Sequence, residues 1–231
     1  MAERSVLITG GTGGLGTAVT ATFVEAGWRV VAPQRHQPTP SPDPGPNAPV
    51  RLVADLTEAD DVARVTEVAA EDPQAPLRAV VNLVGGYASA GLVHETPIEE
   101  FERMLTLNLR PTHLVTRAAL PRLIEAGGGA VVCVASRAAV APFPGVAGYV
   151  TAKAAVLAFA SAVAVEYKSA GVRCNTVLPS IIDTPTNRAD MPQADHSRWV
   201  APTEIASVIR FLASEESAPT SGAAVPVYGR A

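Results

Sequence analysis

Cysteine is scarce in this chain: 231 residues hold two, Cys133 and Cys174. Each sits in an apolar, strand-like run, and neither has a Cys or His at metal-ligand spacing, which argues against both a disulfide and a metal pair. Both read as buried, reduced thiols, so a cytoplasmic setting is expected. Positive charge is not in excess either. The net charge of −4 removes the electrostatic case for nucleic acid or anionic membrane partners. No apolar run approaches the ~18–20 residues of a membrane span. After Met1-Ala2-Glu3-Arg4, the apolar Val6-Leu7-Ile8 meets glycines at once, unlike a secretory signal. No repeat with a period of about 20–50 residues is present, which argues against a solenoid.

What the chain does have is apolar bulk. At 48% hydrophobic it can bury a sizeable core, and one domain over 1–231 is expected. Short β-branched runs alternate with longer helical stretches, the pattern of a parallel sheet wrapped by helices. Strands are predicted at 5–9, 29–32, 50–54, 79–83, 130–135, 173–178 and 224–228. Most are almost wholly apolar, as strands covered on both faces are. Helices are predicted at 14–26, 57–71, 98–110, 112–126, 149–170 and 202–214, with Thr57 and Thr203 as N-terminal caps. The stretch 37–49 holds six prolines in thirteen residues, so an extended crossover loop is predicted there in place of a helix.

Tyr149 and Lys153 stand four residues apart at the head of an Ala-rich segment without Gly or Pro up to Ala160. On a helix, residues i and i+4 share a face. A fixed ammonium beside a phenol stabilises the phenolate, which makes the tyrosine a usable general acid/base near neutral pH. Taken alone, the pair also fits a core tyrosine and a solvated lysine. Thr9-Gly10-Gly11-Thr12-Gly13-Gly14-Leu15-Gly16 follows the first predicted strand and opens the first helix. Glycines there permit a tight turn and let the backbone approach a pyrophosphate at a helix N-terminus. The spacing reads as Gly10-x-x-x-Gly14-x-Gly16 or as Gly10-x-x-Gly13-x-x-Gly16.

Further residues complete an ordered series: Asp55 after the third predicted strand, Asn82-Leu83-Val84-Gly85 after the fourth, Asn108 on a helix, Ser136 after the fifth, and Pro179-x-x-x-x-Thr184 after the sixth. In this series the chain resembles the short-chain dehydrogenase/reductase family, in its single-domain branch. Only about fifty residues follow Pro179, too few for the C-terminal substrate domain of the family's extended branch. The resemblance implies a Rossmann-type doubly wound α/β fold of three layers, with about seven parallel strands. It implies an NAD(P)-dependent oxidoreductase that interconverts a small-molecule carbonyl and alcohol. By the same resemblance Gly10, Gly14 and Gly16 cradle the pyrophosphate, with Thr12 and Leu15 also binding cofactor. Asp55 contacts the adenine with Leu56 beside it, Asn82 and Gly85 line the ribose side, and Ile182 and Thr184, following Pro179, hold the nicotinamide carboxamide. Asn82 also fits a residue that ends its strand in a turn. Ser136, Tyr149, Lys153 and Asn108 take the roles of a catalytic tetrad: Ser136 bonds the substrate oxygen, Tyr149 transfers its proton, Lys153 lowers the phenol pKa and binds the ribose, and Asn108 holds a water leading to solvent.

The second strand runs into Pro33-Gln34-Arg35-His36, without the carboxylate that would accept hydrogen bonds from a ribose 2′-OH. Arg35 is available to pair a 2′-phosphate, so NADP is favoured over NAD. The loop 180–201 corresponds to the family's substrate lid, carrying His196 and Trp199, and Phe143 and Tyr87 are expected to wall the substrate site. His94 and His196 gain no catalytic task, since the tetrad supplies acid and base. The stretch 123–129 lacks the basic residues with which carrier-protein reductases of the family dock an acidic partner, which tilts toward a free small molecule. Helices 112–126 and 149–170 are apolar nearly all round, which predicts a homodimer or homotetramer through them. A dinucleotide-binding sensor or scaffold without turnover, a pterin or quinone reductase, and a 3-oxoacyl thioester reductase are the alternatives.

Overall fold

The computed structural model describes residues 2–37 and 47–230, so most of the proline-rich loop lies outside the described residues. Six strands form one sheet: β1 (Ser5–Thr9), β2 (Arg29–Val31), β3 (Leu77–Asn82), β4 (Gly129–Val134), β5 (Val172–Pro179) and β6 (Ala224–Val227). Their order is β2-β1-β3-β4-β5-β6 and every pairing is parallel. The helices are α1 (Gly14–Glu25), α2 (Ala59–Ala70), α3 (Ile98–Asn108), α4 (Arg110–Glu125), α5 (Ala147–Glu166), α6 (Pro185–Asp190) and α7 (Pro202–Ala213).

Alternation along each strand sends side chains to opposite faces. Val6, Ile8, Val30, Val81, Val132 and Val177 pack under Val19 and Phe23 of α1 and Ile205, Ile209 and Leu212 of α7. Leu7, Val31, Val80, Val131, Cys133 and Cys174 face α2, α4 and α5 through Val62, Val65, Val115, Leu123, Val156 and Ala160. This is the expected three-layer, doubly wound arrangement. Between β1 and β3 the strand order reverses, which leaves a crevice at the C-terminal ends of these two strands.

The sheet has six strands where the sequence pattern predicts seven. Residues 50–54 do run parallel beside β2, with Ala32 N–H donating to Val50 O (2.9 Å) and Gln34 N–H to Leu52 O (3.0 Å). Only the isolated bridges Val31↔Val50 and Gln34↔Val53 result, so no continuous strand forms. Pro33, two residues past the end of β2, has no N–H with which to extend the β1–β2 ladder. Neither predicted threonine cap is used. Glu58 is the N-cap of α2, because Thr57 N–H is drawn to the Asp55 carboxylate (2.9 Å). Ala201 precedes α7, where the Glu204 carboxylate accepts its N–H (3.0 Å). Helix α6, inside the lid, has no apolar periodicity to announce it; Thr184 caps it by accepting Asn187 N–H (3.2 Å). Although no uninterrupted apolar run spans a membrane, α5 is long and apolar enough by length and composition to do so. Its buried residues, Ala152, Lys153, Val156, Ala160 and Val163 among them, are spent on the protein interior.

Candidate active site

The crevice is built at the strand ends. Thr9 closes β1, and its hydroxyl accepts the N–H groups of Leu83 (3.0 Å) and Val84 (3.3 Å), tying the end of β3 to the glycine turn. Gly10 has φ +67°, which disfavours any side chain. A Cβ on Gly16 would collide with the Gly10 carbonyl, and one on Gly14 would come 2.7 Å from Thr184 Cγ2. On Gly13 a Cβ would meet only ordinary contact, 3.4 Å from Gly10 O. The geometry therefore selects the Gly10-x-x-x-Gly14-x-Gly16 spacing.

From this turn a cleft of about 690 Å³ runs along Thr12, Gly13, Arg35, Arg51, Leu56 and Gly85. An open turn that excludes side chains, leading into an elongated cleft with two guanidiniums, fits a dinucleotide phosphate chain and its adenosine. Leu56 lines this cleft together with Ala54 and Thr57. Asp55 is otherwise engaged: its Oδ1 accepts Thr57 N–H (2.9 Å) and the Thr57 hydroxyl (2.7 Å). These bonds, and more weakly Arg35, hold its carboxyl below the usual range. Asn82 is buried beneath the crevice, donating to Thr116 Oγ1 (3.0 Å), and its Oδ1 has no partner among the described residues. Leu15 packs on the α1/α7 side of the core, and Pro179 closes β5 against β6. Ile182 O accepts from Asn187 Nδ2 (2.8 Å), which fixes the start of the lid over the crevice.

The tetrad converges from three elements. Ser136 follows β4, Tyr149 and Lys153 lie on α5, and Asn108 ends α3. Lys153 is 6% exposed, and its Nζ donates to Val134 O (3.0 Å). A Cβ on Gly85 would come 2.5 Å from Asn108 Oδ1 and 3.0 Å from Lys153 Nζ, so these three residues meet. The Asn108 side chain is committed to the backbone: Oδ1 accepts Gly86 N–H (3.1 Å), and Nδ2 donates to Gly86 O (3.1 Å) and Met104 O (3.0 Å). It fastens the helix break at Leu109 to the loop after β3. Ser136 Oγ accepts Ala138 N–H (3.1 Å) and lies beside the Tyr149 phenol.

Burial pulls Lys153 down from 10.5 to about 8, with Cys133 opposing weakly. Burial also pushes the Tyr149 phenol above its ordinary value; Ser136 pulls it back in part, and Tyr87 adds to the rise. The acidified phenol that the Tyr-x-x-x-Lys pattern suggests is thus not what this geometry produces. Desolvation disfavours the charged forms of both groups, and Nζ lies 6.0 Å from the ring centroid, bonded to a carbonyl instead.

Tyr87 stands edge-on to Tyr149 (centroids 5.2 Å), and Phe143 is exposed on the preceding loop. His196 and Trp199 stack on each other (4.2 Å), and His196 Nε2 bonds Met191 O (2.9 Å), so both are used in the fold of the lid. His94 is a surface residue 4.0 Å from Glu95. Thr9 opens the glycine motif, but its bonds to the end of β3 are set by tertiary contact. One residue of the cleft escapes sequence reasoning. Arg51 is signalled only by a charge inside the apolar run Val50-Arg51-Leu52-Val53.

The sequence matches the family described as short chain dehydrogenase over residues 4–195. It is 32% identical over 245 residues to 2-(R)-hydroxypropyl-CoM dehydrogenase of Xanthobacter autotrophicus, covering 98% of each chain. It is also 32% identical over 238 residues to the 3-oxoacyl-[acyl-carrier-protein] reductase MabA of Mycobacterium tuberculosis, covering 98% of this chain and 92% of that one. Among solved structures, ElxO with NADP bound superposes with a TM-score of 0.90 at 25% identity over 98% of both chains. A short-chain type dehydrogenase/reductase from Mycobacterium ulcerans gives 0.90 at 26%, covering 100% of this chain and 90% of that one.

Proposed function

The chain belongs to the short-chain dehydrogenase/reductase family and is an NAD(P)-dependent oxidoreductase of small-molecule alcohols and carbonyls; from that premise we propose that it is a carbonyl reductase that uses NADPH, with Tyr149 as general acid. The observation that carries this reading is the meeting of Ser136, Tyr149, Lys153 and Asn108 beside the glycine-lined crevice. NADPH, when bound, supplies hydride to the carbonyl carbon. Ser136 then donates a hydrogen bond to the oxygen as negative charge grows on it, and Tyr149 gives that oxygen its proton. Burial keeps the phenol protonated through neutral pH, the state a general acid needs. Lys153 lies one helical turn on, with its ammonium anchored at Val134 O, and in this reading it holds the nicotinamide ribose. Asn108 is a positioning residue that holds the loop after β3 against Lys153.

The glycine turn and the cleft from Thr12 to Leu56 hold the cofactor, with Arg35 beside the adenosine ribose and Ile182 and Thr184 at the nicotinamide end. Tyr87 and Phe143 give the entrance an aromatic, uncharged rim, which suits an apolar aldehyde or ketone. A 3-oxoacyl thioester is the second reading, favoured by the mycobacterial relative and weighed against by the stretch 123–129, which carries no basic residue. One domain over 1–231 carries both sites. The groove of about 520 Å³ between α4 and α5, lined by His113, Leu120, Ile124 and Phe159, supports assembly into dimers or tetramers through these helices.

NADPH consumption against a panel of aldehydes, ketones, quinones, pterins and acyl thioesters tests the reading. Tyr149→Phe is expected to bind NADPH like the wild type and to lose nearly all turnover. Full turnover by that variant removes Tyr149 from the chemistry. Tight NADPH binding with no turnover of any substrate points to a sensor.

A further inference from the structure

We propose that Arg51 is a specificity-determining residue at the adenosine end of the cleft, forming with Arg35 a two-guanidinium site for a ribose 2′-phosphate. The inference rests on the NADPH reading and deepens it.

The backbone brings the two cations to one cleft. Hydrogen bonds from Ala32 N–H to Val50 O (2.9 Å) and from Gln34 N–H to Leu52 O (3.0 Å) bracket Arg51 opposite Pro33. Two residues further on, the turn after β2 presents Arg35. Both side chains line the cleft that also contains Thr12 and Gly13 of the glycine turn. Among the described residues neither arginine forms an ion pair, and Arg51 Nη1 is buried without a hydrogen-bond partner.

Two other partly buried arginines, Arg29 and Arg173, are supplied with acceptors. Arg29 donates to Val68 O (3.1 Å) and Glu71 Oε1 (2.6 Å), and Arg173 to Leu212 O (2.9 Å), Ser217 Oγ (2.8 Å) and Ser214 O (2.9 Å). Among the described residues Arg51 Nη1 is the one buried arginine nitrogen left without a partner, and leaving a buried guanidinium N–H unpaired is costly. Asp55, whose Oδ1 is bonded to Thr57 and whose charge is felt by Arg35, forms no ion pair with Arg51 among the described residues. A neutral ribose diol would leave that N–H facing a weak acceptor. A phosphate offers three strong acceptor oxygens, and the planar fork of arginine matches it.

Isothermal titration of the full-length protein with 2′,5′-ADP and with 5′-AMP tests the site without turnover. The wild type is expected to bind 2′,5′-ADP more tightly than 5′-AMP. Arg51→Gln is expected to lose about ten- to hundred-fold in affinity for 2′,5′-ADP, the size of one lost bond to a charged group, with 5′-AMP affinity unchanged. Arg51→Lys should recover part of it, having the charge without the fork. Retained 5′-AMP binding shows that the variant is folded. If Arg51→Gln binds 2′,5′-ADP like the wild type, the role of Arg51 is overturned while the NADPH reading stands. If 5′-AMP affinity falls equally, Arg51 is structural and the proposal is overturned. If the wild type does not distinguish the two ligands, the NADPH reading itself fails, and the site with it.

Discussion

Lys153→Met is expected to make the protein more stable near neutral pH while abolishing its turnover. The side chain is 6% exposed, and burial lowers its pKa from 10.5 to about 8. The folded value lies below the unfolded one, so the folded state binds the proton less tightly. The resulting penalty is full below about pH 8 and fades as pH rises toward 10.5. At about 1.36 kcal/mol per tenfold difference in proton affinity, that penalty is about 3 kcal/mol at pH 6.5 and about 1 kcal/mol at pH 9.5. Methionine fills similar volume without charge, but it orphans Val134 O, now 3.0 Å from Nζ. Losing that bond returns about 1 kcal/mol. The net gain near neutral pH is about 2 kcal/mol, or about 4–8 °C in melting temperature for a chain of this size.

Urea denaturation of wild type and variant at pH 6.5 and pH 9.5 measures this. Using the difference between the two proteins cancels every titration they share. The advantage of the variant should shrink by about 2 kcal/mol between the two pH values. A variant less stable than the wild type at pH 6.5, or an advantage independent of pH, refutes the claim that a desolvated ammonium stands at this site. Under the proposed mechanism the trade is intelligible: the fold carries an unfavourable charge one helical turn from the proposed general acid.

Gly13→Ala should leave NADPH affinity and melting temperature near wild type, whereas Gly16→Ala should cost about 1–3 kcal/mol of stability and most cofactor affinity, read by fluorescence titration and thermal melting. Because burial raises the Tyr149 phenol, the rate of carbonyl reduction should be flat from about pH 6 to 8, while alcohol oxidation, which needs the phenolate as base, should climb with pH; parallel pH profiles in both directions would contradict the assignment. Asn108→Ala removes three hydrogen bonds to Gly86 and Met104, so a stability loss of about 1–3 kcal/mol should accompany a fall in kcat larger than any change in cofactor Kd. Val165→Glu on α5, at a position 78% exposed, should reduce the mass measured by light scattering if α5 is the assembly face, and an unchanged mass would move assembly elsewhere.

The parts of this molecule legible in sequence are those where one local constraint decides the residue. Val6-Leu7-Ile8 before Gly10 reads as a buried strand entering a tight turn because both sheet faces are covered and φ +67° at Gly10 tolerates little else. Tyr149 and Lys153 share a face because a helix without Gly or Pro has no other option. Features set by tertiary contact were harder to read. The stretch 50–54 has the composition of a strand, yet it meets the β2 segment only through the isolated bridges Val31↔Val50 and Gln34↔Val53. Thr57 has the chemistry of a cap, yet the Asp55 carboxylate two residues away takes its N–H. The two glycine spacings were indistinguishable until the Gly10 carbonyl and Thr184 showed which positions lack room for a Cβ. The electrostatics follow the same logic. Spacing tells that an ammonium and a phenol are neighbours, but the sign of the phenol shift depends on how much water reaches them and on where Nζ finds its acceptor. Here that acceptor is Val134 O, nineteen residues back in sequence. Arg51 is the same case turned to use: nothing in a charged residue among valines announces a ligand, and only its unpaired, buried Nη1 in a cleft shared with Arg35 does.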